Sequence, residues 1–316
     1  MFAARGVAVS FSVFAMVYCV LSLVVILSWR TIRLHSQRYA VRRVADLLFA
    51  LRMLPLVTAA IVTAALTVPS FLLLEPRAID EPLGGVPLVL GIFGAVLGIF
   101  GIVNAGIALR KASRTVSTWT SASEAIESLA PVPVLRISQS VPAMIAAGIV
   151  HPKVLLSVAA EFLLTANELQ TALNHEIAHV RRRDNLKKLL LRFVAFPGLR
   201  NLEIAWLEAT EMAADDAAVS SPGEALDLAA ALIKLSRLSP LDPPADLANA
   251  LMHSPVSVMN ARVARLIAWS DERLAPTQRF SLGYALTATI AVTAVFAVTY
   301  GHLLVRVHTA TEWLVR

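Results

Sequence analysis

Leu173–Asp184 reads LNHEIAHVRRRD. Two histidines, His175 and His179, stand four apart, and Glu176 directly follows the first. On a helix that spacing puts both imidazoles on one face, one turn apart, where they can reach a single cation. Glu176 lies about 100° further round, beside the histidine pair and off its axis. The stretch is predicted to be helical from a clear start. In LTANELQTALNHEIAHVRRR, Thr165 followed three residues later by Glu168 is a capping-box pattern. The arginines at the far end suit the helix dipole. H-E-x-x-H on a helix is a zinc pattern, with two ligands and a general base.

A catalytic zinc needs a third protein ligand and an open fourth position. The segment EMAAD, Glu211–Asp215, offers two more carboxylates four apart on a second predicted helix. Glu211 is the expected third ligand. Asp215 is expected to accept the other ring N–H of a ligating histidine, the outer-sphere contact that such sites need. Glu208 is the rival ligand, but its partner one turn on is Met212, not a carboxylate. The bland alternative, a solvated acidic face of Glu211, Asp215 and Asp216, is outweighed by the histidine motif upstream. Cys19 is the only cysteine and sits in an apolar run, so a cysteine-based zinc site and an internal disulfide are both excluded.

Charged residues make up only 16% of the chain, against roughly 25% in soluble domains, which points to a membrane protein. Four stretches are long and apolar enough to cross about 30 Å of hydrocarbon: Gly6 to Trp29, Met53 to Leu74 with Arg52 at its edge, Leu83 to Leu109, and Phe280 to Val305. The first has too long an apolar core for a cleaved signal peptide. The loop RTIRLHSQRYAVRRVAD carries Arg30, Arg33, Arg38, Arg42 and Arg43, whereas EPRAIDEPLGG has only Arg77. The positive-inside rule then puts the first loop and Arg110 to Arg279 in the cytoplasm, with both termini outside; Arg5 is a mild exception. The net charge of +6 is explained by these membrane-flanking arginines, and no nucleic-acid partner is expected. Arg181 to Arg183 can serve as a lipid-facing patch or as a solvated helix end. Gly91, Gly94, Gly98 and Gly101 give the third span a small-xxx-small face; packing inside the chain's own bundle is favoured over an oligomer contact.

Between the third and fourth spans, residues 110–279 are long enough for one domain. Its opening, KASRTVSTWTSASEAIESLA, is predicted helical toward its end. VPVLRISQSVPAMIAAGIVHPKVLLS follows as short strands broken by Pro133, Pro142, Gly148 and Pro152. The strand PAMIAAG, Pro142 to Gly148, is the expected edge on which an extended substrate would pair. The expected fold is therefore mainly α: four membrane helices with a cytoplasmic α+β zincin-like (gluzincin) domain inserted before the last.

The motif HEIAHVRRRD followed by EMAAD resembles the membrane zinc peptidases of the BlaR/MecR type, the bacterial antirepressors of β-lactam sensing. Arg182 and Asp184 complete their H-E-x-x-H-x-x-R-x-D pattern. AAGIVHPKVLLS, ALRMLPLVTAAIVTAAL and FLLLEPR are similar to their strand and second-span segments. The resemblance implies a Zn²⁺-dependent endopeptidase of the bacterial cytoplasmic (inner) membrane that cuts a protein substrate, a cytosolic repressor. Those sensors carry an outer penicillin-binding domain after the fourth span. The sequence ends about ten residues past that span, so the expected relative is a protease-only member. MHSPVSVMNARVARL is similar to a segment of the HtpX and CAAX-prenyl-protease type. That second resemblance implies a quality-control or processing peptidase with His253 and Arg262 as oxyanion stabilisers.

A non-catalytic signalling scaffold with a structural metal is the rival from another class. A structural zinc is usually closed by four protein ligands and needs no base, so an intact Glu176 favours the enzyme. A transporter is disfavoured because no span holds an internal Asp, Glu or Lys.

Overall fold

Among the described residues of the computed structural model, three helices are long and apolar enough to cross a membrane: Phe2–His35, Val41–Leu74 and Gly85–Thr120. The structure describes residues 2–36, 39–76, 84–121, 123–126, 131–138, 143–194, 196–238, 249–250, 256–269 and 282–315. The first rod is α1, Phe2–Ser36. The second is α2, Val41–Val62, a π-helical turn at Thr63–Thr67, and α3, Val68–Leu74. The third is α4, Gly85–Thr120. A last long helix, Leu282–Val315, runs through the expected fourth span and through most of the tail HTATEWLVR.

The π-helical turn has a chemical cause. Pro69 has no N–H for the Ala65 carbonyl one turn back, and its ring crowds that carbonyl. The widened turn relieves the crowding. The hydroxyl of Tyr300 donates to the freed Ala65 oxygen at 2.8 Å. A backbone group in an apolar setting is thereby satisfied, and the last helix is tied to the second rod. At the same end Arg5 pairs with Glu75 at 3.0 Å, which accounts for the exceptional arginine. His308 and Glu312 complete a small ionic group with Glu75.

The glycines of α4 seat it on α1. A Cβ at Gly91 would lie 2.7 Å from the Ala8 carbonyl oxygen, and one at Gly94 would collide with that of Phe11. Ser12 donates to Ala8 and to Pro87, both at 2.7 Å. These positions are thus used inside one chain, while Gly98 faces open space.

Thirty-six residues of α4 span about 54 Å, well beyond the hydrocarbon. The polar stretch after Arg110 therefore begins as the continuation of α4 and turns to strand at Glu124–Ile126, where the sequence led us to expect helix. Val116 and Trp119 pack there against Ile137, Ile145 and Leu155 of a five-stranded sheet. The strands are β1 Glu124–Ile126, β2 Val134–Ile137, β3 Met144–Ala147, β4 Lys153–Ser157 and β5 Asn249–Ala250, in the order β1-β2-β4-β3-β5. Only β2 and β4 are parallel.

Helices α5, Val158–Leu163, and α6, Ala166–Arg182, follow the sheet, with α7, Asp184–Leu191, after a break at Arg183. Then come α8, Arg200–Ala218, α9, Pro222–Ser236, and α10, Val256–Ile267, so that Leu282–Val315 is α11. The capping box is present: Thr165 N–H donates to Glu168 at 2.8 Å and its hydroxyl accepts from Glu168 N–H at 3.4 Å. Ala172, Ile177, Leu228, Leu232 and Leu266 share a core with Val154 and Leu156 of the sheet. A second core joins this domain to the rods, with Trp206 of α8 among Tyr18, Leu48 and Ala59. Arg52 donates to Glu203 at 3.3 Å. Asn104 of α4 donates to the Arg192 carbonyl at 3.1 Å. Polar contacts as well as packing thus hold α8 and the end of α7 to the long apolar helices.

Candidate metal centre

His175, His179 and Glu211 come together as expected, with their ligand atoms all within 4.8 Å of one another. The Nε2 atoms of the two histidines are 3.1 Å apart. Glu211 lies 3.6 Å from each of them, through Oε2 to His175 and Oε1 to His179. Zinc–nitrogen bonds of 2.0–2.1 Å in a tetrahedron require donors about 3.3 Å apart. The three donors fit a tetrahedral cation with one open position. Glu208, the rival, is not part of the group.

Each imidazole is backed by a carboxylate. His175 Nδ1 lies 2.9 Å from Asp215 Oδ1, a short contact bent away from ideal hydrogen-bond geometry. His179 Nδ1 meets Asp184 Oδ2 at 2.8 Å. Such contacts fix the ring and raise its basicity. Helical spacing alone gives Asp184 no role at the site, because a residue five positions after His179 on a continuous helix points about 140° away. Arg183 adopts a left-handed conformation, φ 53°, and breaks the helix. Asp184 then starts α7 with its carboxylate turned back to His179. The R-x-D after the second histidine was the available signal.

Arg262 enters from α10. Its Nε and NH2 donate to Asp215 at 2.8 and 2.6 Å, and NH1 donates to Glu211 at 3.0 Å. The side chain is fully buried. A guanidinium forked onto two carboxylates is strong and directional. Arg262 does not serve as the expected oxyanion stabiliser here: its donors hold the carboxylates of α8. His253 lies outside the described residues.

The charges are strongly coupled. Burial alone would lower the His175 pKa, but Asp215 and Glu211 raise it to about 9. Burial alone would raise that of Glu211, but the charges of His179 and Arg262 and the contact with His175 bring it to about 2. Asp215 is lowered for the same kind of reason, burial being outweighed by Arg262.

Glu176 is fully buried beside this group. Its Oε2 accepts from the Ala146 backbone N–H of β3 at 2.6 Å, while Oε1 has no hydrogen-bond partner. Burial pushes its pKa up, against the opposing charges of His179 and His175. Asn185 donates to the Ala146 carbonyl at 2.9 Å. These contacts, with β5 paired at Ile145 and Ala146, overturn the expected edge-strand role of β3. Both backbone groups of Ala146 are engaged by side chains, and the strand lies between β4 and β5. Lys188, also not singled out in the sequence, has its pKa lowered by burial and is subject to the charges of Glu211, Asp184 and Glu176.

A family model described as BlaR1 peptidase M56 matches residues 16–266, from the first rod to the last residues of α10. The chain belongs to this family. No curated protein matches it. Membership in the BlaR1 peptidase M56 family supports a membrane metallopeptidase with a metal cofactor, and a peptidase acts on a protein substrate. It also selects the first of the two resemblances, BlaR/MecR over HtpX.

Proposed function

We propose that the protein is a zinc endopeptidase of the bacterial cytoplasmic membrane whose site faces the cytoplasm. In this reading α11 supplies a fourth span over about residues 280–305, and residues 110–279 form the domain inserted before it. The arginine asymmetry of the two short loops supports that orientation. His175, His179 and Glu211 hold the metal, Asp215 and Asp184 orient the histidines, and Arg262 holds Glu211 and Asp215. A bound zinc would supply Lewis acidity, lowering the pKa of a water at the site and polarising the scissile carbonyl.

The observation that carries the reading is the free, buried Oε1 of Glu176 beside the three donor atoms. That carboxylate oxygen accepts the proton of the attacking water and returns it to the leaving amine. Its Oε2 is fixed by Ala146 N–H, so the base is aimed before substrate arrives. A scaffold with a structural metal has no use for a buried carboxylate with an open oxygen. Resemblance to the antirepressor peptidases makes a cytosolic repressor the proposed substrate.

The test compares cells carrying the wild type, Glu176→Gln and His175→Ala by sequencing new protein N-termini in the cytosol. Wild type is expected to generate cleavage products absent from both variants. Glu176→Gln protein that keeps its metal and yields the same products would refute the proposed base. A reporter fused after Ser221 that reads outside would refute the orientation.

A further inference from the structure

The opposite side of α6 borders a cavity of about 760 Å³, lined also by the first turns of α2 and by α8 and α9. Arg42, Arg181, Arg182 and Lys187 line it, with Asp46 and Glu224 as the only carboxylates among its described residues. Both carboxylates are engaged. Glu224 accepts from the Ser220 N–H at 2.6 Å and from its hydroxyl at 2.7 Å. Asp46 pairs with Lys187 at 3.1 Å.

Arg182 is the telling residue. Its side chain is 9% exposed, yet Nε, NH1 and NH2 have no hydrogen-bond partner. Its nearest carboxylates are Asp184 at 3.6 Å and Asp46 at 4.0 Å, both beyond hydrogen-bond length. A buried guanidinium left without acceptors is costly. A guanidinium fork also matches the oxygens of a phosphate. Helix α2 begins at the cavity without a side-chain cap, so its N-terminal dipole adds to the attraction for an anion.

We propose that this cavity binds a phosphate group, with Arg182 as its buried anchor and Arg42 and Arg181 as its outer contacts. The cavity lies at the end of a membrane-crossing rod, so a lipid headgroup and a free phosphate are both chemically suited to it. The site is separate from the metal centre because His175, Glu176 and His179 do not line it. It is also linked to that centre, since Arg182 stands beside Asp184, which holds His179. Occupancy fixes Arg182 and thereby the carboxylate behind the second histidine.

The test uses the full chain in two arms. In the first, native mass spectrometry follows retained lipid after reconstitution in nanodiscs of phosphatidylcholine alone or with added phosphatidylglycerol. In the second, delipidated protein in detergent is titrated with inorganic phosphate by calorimetry. Retention of phosphatidylglycerol without phosphate binding identifies a lipid site; phosphate binding in detergent identifies a soluble anion. In either case the double variant Arg42→Gln/Arg181→Gln is expected to weaken binding by on the order of tenfold while zinc content stays unchanged. Arg182→Gln is expected to abolish binding, and the exposed pair keeps the test valid should that variant fail to fold. Absence of binding in both arms, or equal binding by wild type and the double variant, overturns the proposal.

Discussion

The two faces of α6 are built on opposite terms. On the inner face His175 and His179 are each backed by a carboxylate, and Glu176 is fixed by a backbone amide. On the outer side Arg182, which stands in the last turn nearly in line with His175, sends its guanidinium to the cavity, where it is buried without a hydrogen-bond partner. The inner face is preorganised, so a metal and a substrate would find their partners already in place. Preorganisation of this kind lets electrostatic stabilisation act without rearrangement at the moment of reaction. The outer face has a deficit of acceptors that a ligand can fill. One helix thus carries a finished site and an unfinished one, joined at its end by the left-handed turn at Arg183.

The sharpest way to break the comparison is to remove the inner face. His175→Ala or His179→Ala is expected to strip the metal and abolish cleavage, as read by metal analysis of the purified protein. Glu176→Gln is expected to keep the metal and lower cleavage by about 10²–10⁴-fold, the usual worth of a general base. If the histidine variants retained full metal content, the three-donor centre would be the wrong assignment.

A smaller effect is expected from the carboxylates behind the ligands. Asp184→Asn and Asp215→Asn each keep shape but lose charge, and zinc affinity should fall by about 10–100-fold. Asp215→Ala should in addition destabilise the fold, because it takes two of the hydrogen bonds from the buried Arg262 guanidinium. Competition with a chelator reads the affinity, and thermal unfolding reads the stability. Affinities unchanged in both asparagine variants would reduce the backing carboxylates to packing.

How far the sequence carries follows from these same residues. The helix of His175 and His179, its capping box and the pairing of Glu211 with Asp215 are local, because spacing on one helix determines a shared face. Asp184 depends on a left-handed residue that an arginine rarely adopts. Arg262 comes from α10, 47 residues beyond Asp215, and no local periodicity reports such a contact. The length of α4 was hidden for another reason. A polar sequence beyond a membrane span reads as the start of a new segment, although nothing in it stops the helix before Thr120.

Acidity sharpens the contrast at a level of about tenfold per pH unit. In the metal-free protein His175 is raised to about 9 from an ordinary value near 6.5. The proton it holds stabilises the fold fully below about pH 6.5, and that stabilisation is lost as pH rises through 9. Zinc must displace the same proton. Its affinity should therefore climb about tenfold per unit between pH 7 and 9 and then level off. Glu211, lowered to about 2, is ionised over that whole range and adds no slope. Calorimetry in buffers of different ionisation heat should register release of about one proton near pH 7.5. Zinc binding without proton release would mean that His175 is neutral in the metal-free site.

The smallest effect should come from the start of α6, which serves both faces equally. Thr165→Ala removes the hydroxyl that accepts the Glu168 N–H, and an N-cap of this kind is worth about 1 kcal/mol. The loss is blunted because Glu168 keeps its other partners. Its carboxylate still accepts from the Thr165 N–H at 2.8 Å and from Lys234 at 2.7 Å, and neither contact needs the hydroxyl. His175 is ten residues further on, nearly three turns away, where fraying of the first turn does not reach. Urea unfolding of Thr165→Ala should shift by no more than that amount, with zinc affinity unchanged. A loss of zinc affinity would show that the metal centre depends on how the helix is anchored at its start, and the preorganisation of the inner face would then extend over all of α6.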